Sequence, residues 1–318
     1  MFSLVNDRQQ NGKELRKVVS DTVTDLINTN NKVVMLEADL GGASGSIAVK
    51  KVHPQNFIQC GISEANMVGV ACGMSSLGYI PFVHTFAPFA TRRVFDQVFL
   101  SGAYAHNTIN IYGSDPGFTV AQNGGTHTSF EDIAMMRTIP GAVVLDAADD
   151  VQLEWIIREI AKMTGVHYFR AGRKNCRRLY EQGSTFELGK GNVIKQGSDV
   201  LVIACGQIVN DALDAAEKLE AEGISVEVID MFTLKPFDKE LVLKEAQDKK
   251  AIITFENHSI IGGLGSCVAE VLADENVNIK FKRVGVNDQF GQVGSASFLQ
   301  KEFGLTADDL YEKVKETI

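Results

Sequence analysis

The sequence predicts an α/β protein of two domains, each a mainly parallel sheet flanked by helices. Three observations point there. Short apolar runs alternate with longer amphipathic stretches along the whole chain, the pattern of repeated βα units. At 318 residues the chain is long enough for two domains of ordinary size. A composition of 45% hydrophobic and 22% charged residues suits a globular protein with two buried cores.

The elements follow in order. Residues 12–29 read as an amphipathic helix with Leu15, Val18, Val19, Val23 and Leu26 on one face. Arg16 and Lys17 sit early on it, and Lys17 fits a solvated face. The apolar run from Lys32 to Leu40 reads as a buried parallel strand, followed by the flexible segment Gly41–Ser46. Ligands of open parallel sheets gather beyond the carboxyl ends of strands, so Asp39 is well placed, although a turn-forming aspartate explains it equally well. Phe57–Cys60 is a second strand that runs straight into Gly61–Gly78.

That small, apolar segment carries a single carboxylate, Glu64. A helix so poor in polar surface should be buried on most sides. Burial disfavours a charged carboxylate and raises its pKa unless a partner compensates. Glu64 is therefore either paired structurally or kept for a group arriving from outside. Ile80–Thr85 is a third strand, leading to Phe86-Ala-Pro-Phe89, whose aromatic spacing also suits a core. Thr108–Gly113 is a fourth, followed by the glycine-rich loop Ser114–Gly125. Thr128-x-x-Glu131 fits a capping box, which places His127 just before a helix N-terminus that would keep it neutral and ready for proton transfer. Val143–Asp146, a helix from about Asp150, and Val166–Arg170 complete the series. The stretch Arg170–Arg178 is basic: Arg177 and Arg178 read as solvated, whereas Arg170 at a strand end suits a bidentate grip on an anion.

Polar text from Glu181 to Lys190 marks the boundary, giving domains at 1–185 and 190–318. A second βα series follows: strands 199–204, 225–230, 251–255 and 280–285, helices 207–222, 237–247 and 262–273, and a terminal helix capped by Thr306-Ala-Asp-Asp309. Gly262-Gly-Leu-Gly265 before a helix suits either a phosphate cradle or close helix packing. The net charge of −9 argues against nucleic acid as a partner. No apolar run suggests a membrane span and the N-terminus lacks signal-peptide character, so a cytoplasmic protein is expected. Five scattered cysteines without a C-x-x-C fit reduced thiols. There is no metal-ligand cluster of histidine and cysteine, and no glycine–aspartate–glycine loop for metal and diphosphate.

Gly61-Ile-Ser-Glu64-Ala-Asn-Met-Val-Gly, Thr85-Phe86-x-x-Phe89 and Gly124-Gly-Thr-His127 together resemble the transketolase family of thiamine diphosphate enzymes. The resemblance spans nearly the whole chain but only the later two-thirds of a full-length transketolase: the pyrimidine-binding domain and the C-terminal domain. It implies the smaller subunit of a split transketolase (a transferase of aldehyde or ketone residues, EC 2.2.1.-). An N-terminal partner chain would supply the diphosphate-binding domain and most of the Mg2+ site, in an α2β2 heterotetramer, with no metal ligand on this chain. By the same resemblance Glu64 hydrogen-bonds N1′ of the aminopyrimidine and stabilises the imino tautomer that removes the thiazolium C2 proton. Phe86 and Phe89 stack on that ring, and Asp39 lies near the cofactor where two chains meet. His127 reaches the substrate's hydroxyls and assists proton transfer. Arg16 and Arg170 hold the phosphate of a pentose- or hexose-type sugar phosphate.

Two positions depart from the family pattern. Asn123 stands where an acid is usual, and Asp115 matches an expected phosphate-side histidine. A carboxylate at 115 would repel a phosphate, which opens the way to a branched or sulfonated ketose. The leading expectation is ketol transfer from a ketose phosphate to an aldose. The alternatives are the β subunit of a 2-oxo-acid dehydrogenase or a deoxyxylulose-phosphate-synthase-like half, and, in another class, a non-catalytic or nucleotide-binding partner. Arg16, Arg170 and the His127 loop favour sugar phosphates, and Glu64 with both phenylalanines and His127 favours catalysis.

Overall fold

The computed structural model describes all residues, Met1–Ile318. It resolves into two compact units: residues 1–116 with 135–186, and residues 117–134 with 187–318. The first contains α1 (Leu15–Thr29), β1 (Val33–Glu37), the short helices α2 (Gly41–Ser44) and α3 (Ile47–Val52), and β2 (Phe57–Gln59). These are followed by α4 (Glu64–Ser76), β3 (Ile80–Phe86), α5 (Ala87–Thr91), α6 (Phe95–Gln97) and β4 (Ile109–Ser114). The helix α7 (Asp132–Arg137) straddles the division, and β5 (Val143–Asp146), α8 (Asp150–Ile160) and β6 (Val166–Ala171) complete the unit. Its strands lie side by side in the order β5-β6-β4-β3-β1-β2, each pair parallel. β1 and β4 are buried along their whole length, as runs covered on both faces should be. Because all are parallel, the ends of β1, β3, β4 and β6 open on one edge.

The second unit contains β7 (Asn192–Lys195), β8 (Val200–Ala204), α9 (Val209–Glu220), β9 (Val226–Asp230) and β10 (Thr233–Lys235). Next come α10 (Lys239–Glu245), β11 (Ala251–Ser259), α11 (Leu264–Asp274), β12 (Lys280–Val286), α12 (Ala296–Glu302) and α13 (Ala307–Thr317). The sheet runs β12-β11-β8-β9-β7, parallel except for β7, which is antiparallel to β9. α13 carries the expected cap, Thr306 and Asp309 bonding each other's backbone N–H.

The unit division between Phe186 and Glu187 falls inside the polar stretch that ends the first βα series. One segment departs from a simple split: 117–134 belongs with the C-terminal unit. There Phe118 N donates to Asn257 Oδ1 (3.1 Å), Ser259 N donates to Phe130 O (2.8 Å), and the Phe130 ring meets Phe303 edge-on at 5.0 Å. The expected capping box at Thr128 is not formed. Thr128 Oγ1 instead donates to Gly124 O (3.0 Å), closing the turn that Gly124 makes at φ 77°, and the Glu131 carboxylate accepts from Phe130 N (2.8 Å). The helix begins only at Asp132, so His127 does not abut its end.

The Gly262–Gly265 segment serves packing and not a phosphate. The N-terminus of α11 is already filled by the Glu256 carboxylate, which accepts from Leu264 N (2.7 Å) and Gly265 N (2.8 Å). A Cβ on Gly263 would stand 2.1 Å from Glu256 Oε2. All five cysteines are free thiols, and no helix is long and apolar enough to cross a membrane.

Candidate functional site

The C-terminal edge of the first sheet gathers most of the expected residues of that unit. Glu64 opens α4, whose sides differ: Met67, Val68, Ala71 and Cys72 are buried, whereas Asn66, Gly69 and Gly73 are exposed. The helix is therefore buried on one side only, and not on most sides as its composition predicts. The Glu64 carboxylate is buried at 3% exposure, and it has a protein partner: Arg93 Nη1 donates to its Oε1 at 2.5 Å. Arg93 itself is 44% exposed.

Phe86 ends β3 and Phe89 lies three residues on in α5, with Pro88 in the first turn where its missing N–H costs nothing. Their rings meet edge-on, centroids 6.2 Å apart. Each also faces a guanidinium: Arg93 lies 3.8 Å from the Phe89 centroid and Arg173 4.9 Å from that of Phe86. Arg173 in turn pairs through Nε with the Asp115 carboxylate, and its backbone N donates to Asp115 Oδ1 at 3.0 Å. Glu64, Arg93, Phe89, Phe86, Arg173 and Asp115 thus form one continuous line across the strand ends.

Burial pushes the Asp115 carboxyl above its ordinary value, with the Arg173 charge and N–H working the other way. Asp115 sits at φ 52° directly after β4, a conformation that aspartate tolerates better than most residues. Because Arg173 balances its charge, Asp115 does not stand as a bare repulsive carboxylate. Arg16, in the first turn of α1, bonds Glu14 Oε2 through Nε (3.1 Å), and its backbone N donates to Arg173 O (3.1 Å). Asp39 is exposed at φ 62° past β1, its N–H held by Gln59 Oε1 at 2.8 Å.

Arg170 does not join this edge. It is fully buried, and Nη2 donates to Asp146 Oδ2 at 2.8 Å. The cause is register: Asp146 of β5 lies directly opposite Arg170 of β6, so both side chains leave the same face. The expectation that Arg170 grips an anion does not fit this burial; Arg173, by contrast, lies past the strand end and is 24% exposed. Asn123 and His127 belong to the other unit; Asn123 is exposed, and His127 Nδ1 lies 2.9 Å from Thr126 Oγ1.

Sequence reasoning missed Arg93, Arg173 and a sealed network behind the edge. Arg93 was legible in principle, since it follows Phe89 by four residues and a helical turn returns it to that ring. The network centres on Glu37, fully buried, whose Oε1 accepts from the Ser44 (2.7 Å) and Ser46 hydroxyls and meets His84 Nδ1 at 2.9 Å. His84 Nε2 continues to Ser114 Oγ at 2.9 Å. Burial alone would push Glu37 up, but His84 and the two hydroxyls outweigh it and hold the carboxyl below its ordinary value.

The arrangement suits thiamine diphosphate at its pyrimidine end. A buried carboxylate joined through Arg93 to a pair of aromatic rings matches a planar heterocycle with a hydrogen-bonding nitrogen, and the arginines along the line suit an anion.

Comparison with known proteins finds relatives along almost the whole chain. Residues 11–178 match the family model described as transketolase, pyrimidine binding domain, and residues 189–310 match transketolase, C-terminal domain. The chain is 43% identical to 6-deoxy-6-sulfo-D-fructose transketolase subunit SqwH from Clostridium sp. (strain MSTE9), across 95% of this chain and 94% of that protein. It is 38% identical to a putative transketolase C-terminal section from Methanocaldococcus jannaschii, across 96% of each. A solved structure described as a split gene transketolase, inactive β4 tetramer, superposes with a TM-score of 0.86 at 38% identity, across 96% of this chain and 98% of that one. Against rat transketolase the identity is 34% over 94% of this chain, which spans 48% of that protein.

Proposed function

The chain belongs to the transketolase family, and we propose that it is the pyrimidine-binding subunit of a two-chain transketolase. The reaction is transfer of a two-carbon ketol unit from a ketose to an aldose acceptor. A partner chain supplies the diphosphate-binding domain with its Mg2+, in an α2β2 assembly. The observation that carries the reading is Glu64, 3% exposed at the head of α4 and joined through Arg93 to the Phe89 ring, which meets Phe86 edge-on.

Thiamine diphosphate, when bound, supplies the carbon nucleophile. Glu64 offers its carboxyl to the pyrimidine nitrogen and shares a proton there, a task suited to a carboxyl shielded from water. Phe86 and Phe89 hold the ring by stacking, and Asp39 borders it. His127 serves proton transfer at the substrate's hydroxyls, with Asn123 reading their arrangement. Arg173 and Arg16 take the anionic end of the sugar, and Asp115 sets how Arg173 presents its fork.

The donor we favour is a ketose ending in an anion other than the usual phosphate. One observation supports this, the likeness to a 6-deoxy-6-sulfo-D-fructose transketolase subunit. The split-subunit reading is supported by near end-to-end coverage of two chains of this length, one described as an inactive β4 tetramer.

The test pairs the purified chain with a transketolase N-terminal chain carrying the glycine–aspartate–glycine loop. Two-carbon transfer is measured from 6-deoxy-6-sulfofructose, xylulose 5-phosphate and fructose 6-phosphate. Transfer only in the mixture, fastest with the sulfonate, is expected. Transfer by this chain alone would refute the split assembly, and turnover of 2-oxo acids without any ketose would refute ketol transfer.

A further inference from the structure

Arg93 makes the same two contacts that an aminopyrimidine ring would make at this edge. Its guanidinium donates to Glu64 Oε1 at 2.5 Å and lies 3.8 Å from the centre of the Phe89 ring. Both the guanidinium and the pyrimidine are flat groups that meet one carboxyl and one aromatic face, the guanidinium as a donor and the ring nitrogen by sharing the carboxyl's proton. Arg93 occupies Glu64 Oε1 and lies over the Phe89 ring, so a pyrimidine that draws on that oxygen and that ring face has to displace it.

The two partners differ in mobility. Glu64 is fixed in the first turn of α4, and Phe86 and Phe89 are fixed by β3 and α5. Arg93 stands past the end of α5, ahead of α6, on a long side chain that is 44% exposed. Its guanidinium has open solvent to swing into and regains hydration there, which makes it the displaceable member. On the other ring, Arg173 is held to Asp115 by a backbone N–H as well as by its guanidinium, so it has an anchor that Arg93 lacks.

From this geometry we infer that Arg93 is a latch on the cofactor site: it neutralises Glu64 and covers Phe89 until the pyrimidine ring displaces it. The inference rests on the proposed role of Glu64. The latch keeps a buried carboxylate from standing unpaired in the cofactor-free chain, at the expense of affinity for the ring. Removing it should tighten pyrimidine binding by about tenfold, the range of a half-exposed ion pair plus a cation–π contact.

The experiment is a calorimetric titration of the full chain, without any partner, with thiamine. It compares wild type, Arg93→Ala, Arg93→Lys and Glu64→Gln, each checked for folding by circular dichroism and melting. Arg93→Ala is expected to bind about tenfold tighter than wild type, or to bind where wild type does not. Arg93→Lys should fall between the two, since an ammonium pairs with Glu64 but stacks less well on Phe89. In wild type, thiamine should also shift the Arg93 side-chain Nε–H signal in a 15N NMR spectrum, identified by its loss in Arg93→Lys. Equal or weaker binding by a folded Arg93→Ala, or no binding by any variant, would overturn the latch. Ketol transfer in the two-chain mixture is read separately, so a failed latch leaves the functional proposal standing. Wild-type-like binding by Glu64→Gln would instead strike at that proposal.

Discussion

Two glutamates of the first unit are buried, and they are buried for different ends. Glu37 is fully enclosed, and every partner of its carboxylate is itself buried: Ser44, Ser46 and His84. Glu64 is almost as deep, yet its partner is an arginine with nearly half its side chain in solvent. Depth alone does not separate a structural acid from a functional one. What separates them is whether the partner can leave. The parallel register of β1 and β3 places His84 beside Glu37 with no freedom to withdraw, whereas Arg93 can exchange Glu64 for water.

The comparison predicts opposite outcomes for the same substitution. Glu37→Gln removes the charge from a sealed network and should lower the unfolding free energy by about 3–5 kcal/mol, the range for breaking a buried pair. Denaturant unfolding of the isolated chain measures it, and a loss below about 1 kcal/mol would place Glu37 with the exchangeable acids. Glu64→Gln should do the reverse. Its stability should change by less than about 1 kcal/mol, because the lost partner is half-exposed. Turnover of the two-chain mixture should fall by about 10²-fold or more, as for a group that moves a proton. Unchanged turnover would remove Glu64 from the chemistry.

The sequence shows the two acids unequally. Glu64 stands out because an otherwise uncharged segment surrounds it, and the phenylalanine spacing after β3 points to the same edge. Glu37 is hidden, since Leu-Glu-Ala-Asp at a strand end gives no sign that the carboxylate turns inward. Its partner His84 is 47 residues away, and only sheet register brings them together. The sequence points to Arg170 and not Arg173 for the same reason: spacing does not reveal that Asp146 lies across from Arg170. The alternation of strands and helices was legible almost throughout, because periodicity is local. The packing of segment 117–134 with the C-terminal unit was not, because it depends on contacts such as Phe118 with Asn257.

Titration sharpens the contrast, since sealed groups should govern stability. His167 is buried against Asn110 Oδ1 (2.8 Å), and burial lowers its pKa to about 4. The unfolded chain binds this proton more tightly between pH 4 and 6.5, so His167 contributes stability present above 6.5 and lost as the pH falls toward 4. Asp149 acts in the opposite sense. Burial raises it to about 6 despite backbone N–H groups from Gln152, Tyr180 and Leu179, so its contribution declines as pH rises from 3.8 to 6. The two nearly cancel in wild type. In His167→Gln only the declining one remains, and its stability relative to wild type should rise by about 2 kcal/mol between pH 6.5 and 4.5. Unfolding at those two pH values measures this, and parallel pH curves for the two proteins would show that His167 is not sealed.

The smallest effect concerns the helix that carries Glu64. Gly69 and Gly73 lie on the exposed side of α4, and a Cβ on either would meet nothing within 4 Å. Neither has a positive φ, so no backbone need explains them. Glycine inside a helix is about 0.5–1 kcal/mol less favourable than alanine. Gly73→Ala should therefore stabilise the isolated chain by about that amount, read as a higher denaturant midpoint. An unchanged or lower midpoint would show that Gly73 answers to something other than helix propensity.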